Sequence, residues 1–571
     1  MRRAALAALV VLVATAFAAG SARAAQVSQQ ERFTASDGVT LQTTITGEGP
    51  LTARPLIVEF SPYGRDSGTV DAGSAYNYLL VQIRGTGDSD GSFDALGPRT
   101  QKDVAEVLEW ACQRPWSDGR IGLNGFSASA ITIYNSLHQS LPCVKTMVLK
   151  SGTLELYRDL IYPGGISNLV PAAGVMALIG APALAQGPDR LRRAPETGAD
   201  VAAGLVRVGL EGMLHSSLDE WWCERGFRGN ANDIPALIVN GFFDVESRGA
   251  FQGFQELRGD GAHMIVLGAH DAAPAGTDAG RGDIKAWFDR YLLGTPNGIE
   301  DQPRVKLWLS DGDREDYVGG KFVRADGDDW PIPGTRWTAL HLDPARSNTA
   351  KSINDGSLSL EAPAGDGTQS YPQLPSSPFS TDLPNAGIVG AGGADALTTA
   401  LPLFTDMTVA EPLGLSYTTA PLASDVSTAG PASLELRLSS TAPATGIWAV
   451  VSDVSPNGTP HPVAAGRLNT TFPGVDESRS LKDPVSGDIV QPYGRYDEAD
   501  PAPPGSSRLY RVELWPIGNR FKSGHRLRLH VVGQSLASLP TAPAVNTLQL
   551  GGSRLLLPVL PGSDLTTALG R

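Results

Sequence analysis

The sequence predicts an α/β core that is interrupted by a helical insertion and followed by an all-β domain. Short apolar runs at residues 55–60, 235–240 and 263–267 are separated by helical segments, which is typical of a mostly parallel sheet covered on both faces. Between residues 152 and 228, apolar helical patterns replace the strands. After about residue 340 the pattern changes to alternating runs between Gly, Pro, Ser and Asn turns, which favours a β-sandwich or jelly roll.

The first 24 residues have the composition of a secretory signal peptide. Arg2 and Arg3 precede an uncharged, mostly apolar run, and a small-residue cleavage pattern, Ala-Arg-Ala, follows at 22–24. We therefore expect residues 1–24 to be removed and the protein to be secreted, outside the cell or in its envelope. No membrane association is expected after cleavage, because no later run is long and apolar enough to span a bilayer.

The core elements follow in order. A first antiparallel strand is predicted at 37–45, and apolar strands at 55–60 and 78–83 follow it. The apolar spacing within 103–112 predicts a helix. The remaining strands of the core are predicted at 120–125, 146–149, 235–240 and 263–267.

Charge and cysteine content exclude several classes of protein. The formal net charge is −14 and the isoelectric point is near 5.1, so no basic excess is available to neutralise phosphates and nucleic acid is not an expected partner. Cys112, Cys143 and Cys223 lack the paired spacing of a structural metal site. We predict a Cys112–Cys143 disulfide, because each ends one of two helices that a right-handed sheet places side by side. Two separate buried thiols are the alternative, and Cys223 is left over.

The run Gly125-Phe126-Ser127-Ala128-Ser129 ends an apolar strand directly before a helix-forming stretch. A serine hydroxyl acts as a nucleophile when a tight turn projects it toward a base. The run is similar to the G-x-S-x-G nucleophile elbow, although serine stands at the last small position. An ordinary strand-to-helix turn is the alternative.

Two more side chains are predicted beside Ser127. Asp244 and His270 each follow a predicted strand, so both lie at the carboxyl edge of the sheet, where open parallel sheets bind their ligands. His263 lies at the opposite end of its strand. We predict that His270 is the general base and that Asp244 orients it, in the chain order known for Ser-Asp-His hydrolases. The alternatives are a loop histidine and a turn aspartate.

Nearly all of the mature chain resembles the cocaine esterase and X-Pro dipeptidyl-peptidase family of α/β-hydrolase serine hydrolases (CocE/NonD type), which also contains α-amino acid ester hydrolases. Beyond the elbow, the resemblance depends on a collinear series of motifs. These are SPYGR at 61–65, IRGTGDSDGSF at 83–93, RPWSDGRIG at 114–122, LYR at 156–158, GFFD at 241–244, GAH at 268–270, DWPIPGTR at 329–336 and FKSGHR at 521–526.

The resemblance implies a domain layout that agrees with the pattern. It implies a discontinuous α/β-hydrolase core at 25–151 and 229–340, a helical cap at 152–228 and a C-terminal jelly roll at 341–571. It also implies an oxyanion hole formed by the backbone N–H of Ala128 and the phenol of Tyr63. Ala128 departs from the family, which commonly has tyrosine directly after the nucleophile.

Aromatic and acidic side chains of the insertion and of the turn after Asp244 are candidates for the substrate pocket. Trp221, Trp222 and Phe227 of the cap are candidates to cover an apolar acyl group, or are core aromatics. Glu246 matches an amine-binding glutamate of the amino acid ester hydrolases, although serine follows it where they carry aspartate. Asp159, at the expected cap entrance, is a second carboxylate for a substrate ammonium. Solvated surface acids are the alternative reading of both.

These residues together predict a secreted serine hydrolase that cleaves a small ester or peptide through an acyl-enzyme, most simply a carboxylic ester hydrolase. An X-Pro dipeptidyl-peptidase and an α-amino acid ester hydrolase share the machinery and are the alternatives. An inactive secreted protein that binds carbohydrate or a partner is the alternative of another class. The mechanism requires no metal and no organic cofactor. Assembly as a homo-oligomer is left open.

Overall fold

The computed structural model describes most of the chain. The described residues are 26–65, 73–169, 179–180, 183, 195–269, 280–313, 316, 320–375, 407–409, 411–535 and 538–570. The expected signal peptide at 1–24 and the predicted base, His270, lie outside these residues.

A twisted central sheet forms the first part of the structure. Its strands pair in the order β1-β2-β4-β3-β5-β6-β7-β8-β9-β10, parallel from β4 to β9 and antiparallel at both ends. β1, β9 and β10 were not predicted, and most side chains of β1 are polar and exposed. The strands are β1 (Gln26–Thr34), β2 (Thr40–Glu48), β3 (Arg54–Ser61), β4 (Asn77–Gln82), β5 (Ser117–Phe126), β6 (Val144–Lys150), β7 (Ala236–Phe243), β8 (His263–Ala269), β9 (Val305–Asp311) and β10 (Phe322–Gly327).

Helices cover both faces of this sheet, as the sequence predicts. They are α1 (Pro98–Cys112), α2 (Ala128–Ser136), α3 (Pro195–Leu214), α4 (Glu220–Cys223), α5 (Ser247–Leu257) and α6 (Arg281–Leu293), with α7 (Leu565–Ala568) near the end of the chain. Apolar side chains of α1, α2 and α5 pack in one core, and Trp287 and Phe288 of α6 pack in the core on the other face. Within the described residues, no helix combines the length and apolarity that a bilayer span requires.

The helical insertion at 152–228 is tied to the C-terminal part of the chain. Its described elements are a π-helical turn, Leu156–Ile161, a 3-10 turn, Pro163–Gly165, and the helices α3 and α4. Tyr157, Tyr162 and Trp222 lie in the same apolar core as the C-terminal strands. The insertion is therefore held between the two larger parts of the structure.

The C-terminal part is rich in strands, and their pairings close a ring. The order β11-β22-β15-β20-β17-β16-β21-β14-β12 returns to β11, and β13 also pairs with β22. The predicted boundary at 340/341 is wrong, because it falls inside β11, which pairs with β22. The strands are β11 (Arg336–Asp343), β12 (Asn354–Ser359), β13 (Thr368–Gln373), β14 (Leu415–Thr418), β15 (Val426–Ser440), β16 (Gly446–Val454), β17 (Pro460–Asn469), β18 (Leu481–Lys482), β19 (Ile489–Gln491), β20 (Arg508–Phe521), β21 (Arg526–Val532) and β22 (Ala544–Val559).

A disulfide joins Cys112 and Cys143, whose Cα atoms are 6.1 Å apart. The predicted pairing is confirmed, but the predicted position of Cys143 is wrong. α2 ends at Ser136, and Cys143 directly precedes β6 instead of ending that helix. The bridge therefore ties the end of α1 to the beginning of a sheet strand. Cys223 is exposed and has a free thiol.

Candidate active site

The carboxyl edge of the parallel sheet brings together residues from distant parts of the chain. Phe126, the last residue of β5, pairs with Lys150 of β6, and Phe243, the last residue of β7, pairs with Ala269 of β8. Ser127 and Asp244 follow Phe126 and Phe243 directly. Both residues therefore lie at the edge where open parallel sheets bind ligands.

The backbone of Ser127 has the strained geometry of a nucleophile elbow. Its φ is 53° and its ψ is −123°, a conformation that a residue with a side chain rarely adopts and that is concentrated at functional sites. The Ser127 N–H donates to the carbonyl of Lys150 at 2.9 Å, which holds the turn against β6. Gly125 is required here, because a Cβ atom would lie 2.6 Å from the Cα of Ala130. The small residue predicted for this turn has a steric cause.

Two hydrogen-bond donors lie beside the Ser127 hydroxyl. The Ala128 N–H, at the first position of α2, donates to the phenol oxygen of Tyr63 at 3.1 Å. The Tyr63 hydroxyl is also hydrogen-bonded to the Ser127 side chain. A carbonyl oxygen that enters between Tyr63 and Ala128 can accept from both, and the positive end of the α2 dipole lies on the same side.

Tyr63 is a protonated phenol throughout the physiological range. Burial raises the pKa of Tyr63 to about 12, and the negative charge of Glu246 acts in the same direction, whereas the hydrogen bond to Ser127 opposes the shift. A phenol with this pKa keeps its proton at neutral pH. Tyr63 can therefore donate a hydrogen bond to a developing oxyanion.

The serine at the last elbow position has a structural role. The buried hydroxyl of Ser129 donates to the carboxylate of Glu59, in β3, at 3.2 Å. Tyr63 follows the same strand by two residues, and its N–H donates to the Ser61 hydroxyl at 3.2 Å. The hydrogen bond between Ser129 and Glu59 thus ties the beginning of α2 to β3, the strand that leads into Tyr63. Sequence reasoning missed Glu59, which lies inside a predicted apolar strand, before the SPYGR motif.

Asp244 is fully buried, with 0% of its surface exposed. One carboxylate oxygen accepts the N–H of Glu246 at 2.9 Å, and the Asp244 carbonyl accepts the N–H of Ser247 at 3.2 Å. The tight turn holds the carboxylate at the end of β7. It also leads directly into α5, so the position of Asp244 depends on how that helix is packed.

His263, which the sequence places at the wrong end of its strand to act as the base, is among the described histidines. His263 begins β8, at the amino edge of the sheet, and its ring lies 5.2 Å from that of Trp287. Burial, with Arg304 nearby, lowers the pKa of His263 to about 4. His461, on β17, has its ring 6.4 Å from that of Phe243. In the described part of the chain, no group of three or more His, Cys, Asp or Glu side chains is arranged to hold a metal ion.

The two carboxylates considered for a substrate ammonium are both buried, so the reading of both as solvated surface acids is wrong. Glu246 is 3% exposed, and its negative charge raises the pKa of the Tyr63 phenol. Asp159 is 0% exposed, so it does not lie at an open entrance. Its carboxylate accepts from Arg248 at 2.5 Å and from the Thr153 hydroxyl. Burial raises the pKa of Asp159, although the nearby positive charge of Arg248 acts in the opposite direction. The negative charge of the Asp159 carboxylate is therefore already opposed by Arg248 within the protein.

The three aromatic candidates of the insertion make core-like contacts. Trp222 is 5% exposed, and its indole N–H donates to the carbonyl of His215 at 2.7 Å. Trp221 stacks on the His215 ring at 5.1 Å and carries the Arg225 guanidinium 3.9 Å from its ring centre. Phe227 packs against the core of the central sheet. These contacts agree with the core alternative, and a substrate role for the three stays a prediction.

Comparison with known families gives two matches that together cover most of the chain. Residues 37–271 match the family model described as X-Pro dipeptidyl-peptidase (S15 family). Residues 297–556 match the model described as X-Pro dipeptidyl-peptidase C-terminal non-catalytic domain. The first match contains Tyr63, Ser127 and Asp244, and the second contains nearly all of the C-terminal strands.

Individual proteins give the same result. The chain is 23% identical to the cocaine esterase of Rhodococcus sp. (strain MB1 Bresler), over 80% of each chain. A crystal structure of a CocE/NonD family hydrolase from Staphylococcus aureus is similar with a TM-score of 0.71 and 18% identity, covering 94% of each chain. An α-amino acid ester hydrolase is similar with a TM-score of 0.71 and 16% identity, over 95% of this chain and 98% of that one. At these identities the two structures show a shared fold.

Proposed function

Since the chain belongs to the family of serine hydrolases that contains cocaine esterase and the X-Pro dipeptidyl-peptidases, we propose that it hydrolyses carboxylic esters through an acyl-enzyme on Ser127. One observation carries the proposal. The hydroxyl of Ser127, whose backbone is strained, the Tyr63 phenol and the Ala128 N–H meet at one point of the carboxyl edge. A nucleophile beside two preorganised donors is the arrangement that acyl transfer requires.

The proposed reaction has two acyl-transfer steps. His270 removes the Ser127 proton as the serine oxygen attacks the ester carbonyl, while Tyr63 and the Ala128 N–H bind the oxyanion. The carbonyl re-forms, the bond to the leaving alcohol breaks, and His270 returns the proton to that alcohol. Water then attacks the acyl-enzyme in the same way and releases the acid. Asp244 orients the imidazole and stabilises its protonated form.

Replacing Tyr63 with phenylalanine tests the oxyanion hole. The variant keeps the packing of the ring but removes a donor that acts on the transition state, so we expect kcat to fall by about 100- to 1000-fold. We expect KM to change by less than about threefold, because the ground-state carbonyl gains little from this donor. Steady-state kinetics on a short-chain aryl ester measures both constants.

Tyr134→Phe is the matched control for this substitution. Tyr134 is a fully buried tyrosine of α2, and its hydroxyl has no hydrogen-bond partner among the described residues. We expect this variant to keep the wild-type kcat. Equal kinetics for the two variants would show that the Tyr63 hydroxyl has no part in the reaction.

Ester hydrolysis is the simplest activity for this site, and two related activities compete with it. An X-Pro dipeptidyl-peptidase needs a pocket for the peptide amine in addition to the same machinery. An α-amino acid ester hydrolase needs a carboxylate that holds a free ammonium. Glu246 favours the second, because it is buried and its charge reaches the Tyr63 phenol at the reaction centre. Of the two carboxylates, Glu246 is the stronger candidate because its charge acts on the Tyr63 phenol.

A panel of three substrates separates these activities. We expect kcat/KM for a short-chain aryl ester to exceed that for an X-Pro anilide by more than about tenfold, a difference of about 1.4 kcal/mol in transition-state stabilisation. A higher value on the anilide would identify a dipeptidyl-peptidase instead. The third comparison is an amino ester with and without an N-acyl group. A preference for the free amine that Glu246→Gln abolishes would identify an amino acid ester hydrolase.

The alternative of an inactive binding protein is tested by covalent labelling. A fluorophosphonate probe reacts with a serine that is activated by a base, so a labelled protein has a working nucleophile. Unlabelled, correctly folded protein would favour binding of carbohydrate or of a partner by the C-terminal strands. The intact set of Tyr63, Ser127 and Asp244 supports the enzyme.

We also propose the finer layout and the location of the protein. In this layout, residues 152–228 form a helical cap over the carboxyl edge of the central sheet. The presence of the helices α3 and α4 in this range supports the proposal. The ring of C-terminal strand pairings supports a jelly roll. The disulfide between Cys112 and Cys143 is typical of an oxidising compartment, and together with the composition of residues 1–24 it supports secretion.

A further inference from the structure

Arg248 links the turn that carries Asp244 to the C-terminal strands. It lies in the first turn of α5, directly after the turn that begins with Asp244, and it is 1% exposed. Its Nε donates to both carboxylate oxygens of Glu513, each at 3.0 Å. Glu513 belongs to β20, which lies 265 residues further along the chain. A buried ion pair therefore connects the C-terminal strands to the turn at the carboxyl edge of the central sheet.

The remaining donors of Arg248 fix it on the side of the core and the insertion. Its Nη1 donates to Asp159 at 2.5 Å and to Gln252, one turn further along α5, at 3.1 Å. The Nη2 atom is buried and has no hydrogen-bond partner among the described residues. The guanidinium is thus held by β20, by the insertion and by α5. Because it is planar and its donors have a fixed geometry, its position depends on the positions of these partners.

Glu513 is itself on a rigid part of the C-terminal sheet. The Gln491 amide donates to its Oε1 at 3.3 Å. The backbone beside it is tightly packed, because a Cβ on Gly466 would lie 2.1 Å from the Glu513 carbonyl oxygen. A side chain on such a strand has little freedom to follow its partner. The geometry of the ion pair is therefore set by β20.

β20 also contacts the segment on the other side of Asp244. Phe242, the next-to-last residue of β7, packs so closely on Gly518 that a Cβ there would lie 2.3 Å from the phenyl ring. The segment around Asp244 is thus braced by β20 twice, through Phe242 before it and through Arg248 after it. Both contacts come from the domain that the family describes as non-catalytic.

We propose that Glu513 is a positioning residue of the hydrolase, which acts through Arg248 to hold the turn that carries Asp244. The proposal rests on the function proposed for Asp244. Without the charge of Glu513, the guanidinium keeps Asp159 but loses its attachment to β20, and the beginning of α5 is free to shift toward the insertion. A displacement of about 1 Å at a catalytic group is sufficient to lower a rate by up to 100-fold.

The test is Glu513→Gln, which keeps the shape of the side chain and removes its charge. We expect kcat to fall by about tenfold with KM within about twofold, because the substrate does not touch Glu513. The same substitution is made in an Asp244→Asn background. If Glu513 acts through Asp244, it causes no further loss of the residual kcat there, whereas an independent structural effect adds to the first.

Glu435→Gln is the matched control. Glu435 lies on β15 of the same domain, and its carboxylate accepts from Arg511 at 3.0 Å and from Arg554 at 2.8 Å. Its side chain is 9% exposed, against 11% for Glu513, so the two carboxylates are similarly buried, while its partners Arg511 and Arg554 are more exposed than Arg248. We expect a wild-type kcat for Glu435→Gln, with a smaller decrease in the melting temperature than for Glu513→Gln, because water can solvate the more exposed arginines. Glu513→Asp keeps the charge and is expected to retain more than half of the kcat if Glu513→Gln does not fold.

The outcomes separate this proposal from the function on which it rests. Equal kcat for Glu513→Gln and Glu435→Gln would overturn the positioning role. The positioning role would also be overturned if Glu513→Gln lowered kcat as much in the Asp244→Asn background as in the wild type. A wild-type kcat for Asp244→Asn alone would overturn the role of Asp244 instead, and the positioning role would fall with it.

Discussion

Ser127→Ala is expected to lower kcat by about a millionfold and to abolish labelling by a fluorophosphonate probe. The substitution removes the attacking oxygen, so the acyl-enzyme cannot form. The two oxyanion donors and the binding surface remain, and they support at most a slow attack by water. Steady-state hydrolysis of an aryl ester and gel-based detection of the probe measure the two effects.

Ser136→Ala is the control, because it removes a buried serine hydroxyl from the same helix. That hydroxyl donates to the carbonyl of Thr132 at 2.7 Å and lies at the far end of α2 from the elbow. We expect Ser136→Ala to be labelled and to hydrolyse the ester at the wild-type rate. Labelling of folded Ser127→Ala would mean that a different nucleophile is used.

His270→Asn is expected to have an effect as large as that of Ser127→Ala, about a millionfold in kcat. The base and the nucleophile act as one unit, and without the base the serine keeps its proton at neutral pH. The expectation depends on the strand register. β8 ends at Ala269, which pairs with Phe243 at the edge where Asp244 follows β7.

His461→Asn is the informative control for this assignment. His461 comes from the C-terminal strand β17, and its ring approaches that of Phe243. We expect His461→Asn to keep kcat within about threefold of the wild type. An inactive His461→Asn together with an active His270→Asn would move the base to the C-terminal domain, and it would make the domain boundary part of the active site.

The local part of the site could be predicted because its signals are local. A strand that ends in Gly125 and Ser127 before a helix-forming run marks a turn, and the backbone strain at Ser127 agrees with it. Asp244 lies just past the strand predicted at 235–240, and the rule that parallel strands end at one edge was enough to predict that it lies at the carboxyl edge. Tyr63 was predicted from the family motif, and the Ala128 N–H lies within hydrogen-bond distance of it.

The errors arose where position depends on distant partners. Asp159 was expected near an opening, but Arg248 draws it into a buried ion pair. The boundary at 340/341 was misplaced because β11 is defined by its pairing with β22, at the other end of the C-terminal domain. Cys143 was assigned to a helix that ends at Ser136, although Pro142, directly before Cys143, is a strong helix breaker.

By itself, the sequence determined the type of each core element and the order of the chemical groups along the chain, because hydrophobic period and turn residues act over a few positions. The tertiary structure alone decided which distant groups meet. The pairs Ser129–Glu59 and Arg248–Glu513 join residues 70 and 265 positions apart, and neither leaves a pattern in the sequence. Hydrogen bonds and ion pairs of this kind form only after the chain has folded, because their geometry is set by the packing of whole sheets and helices.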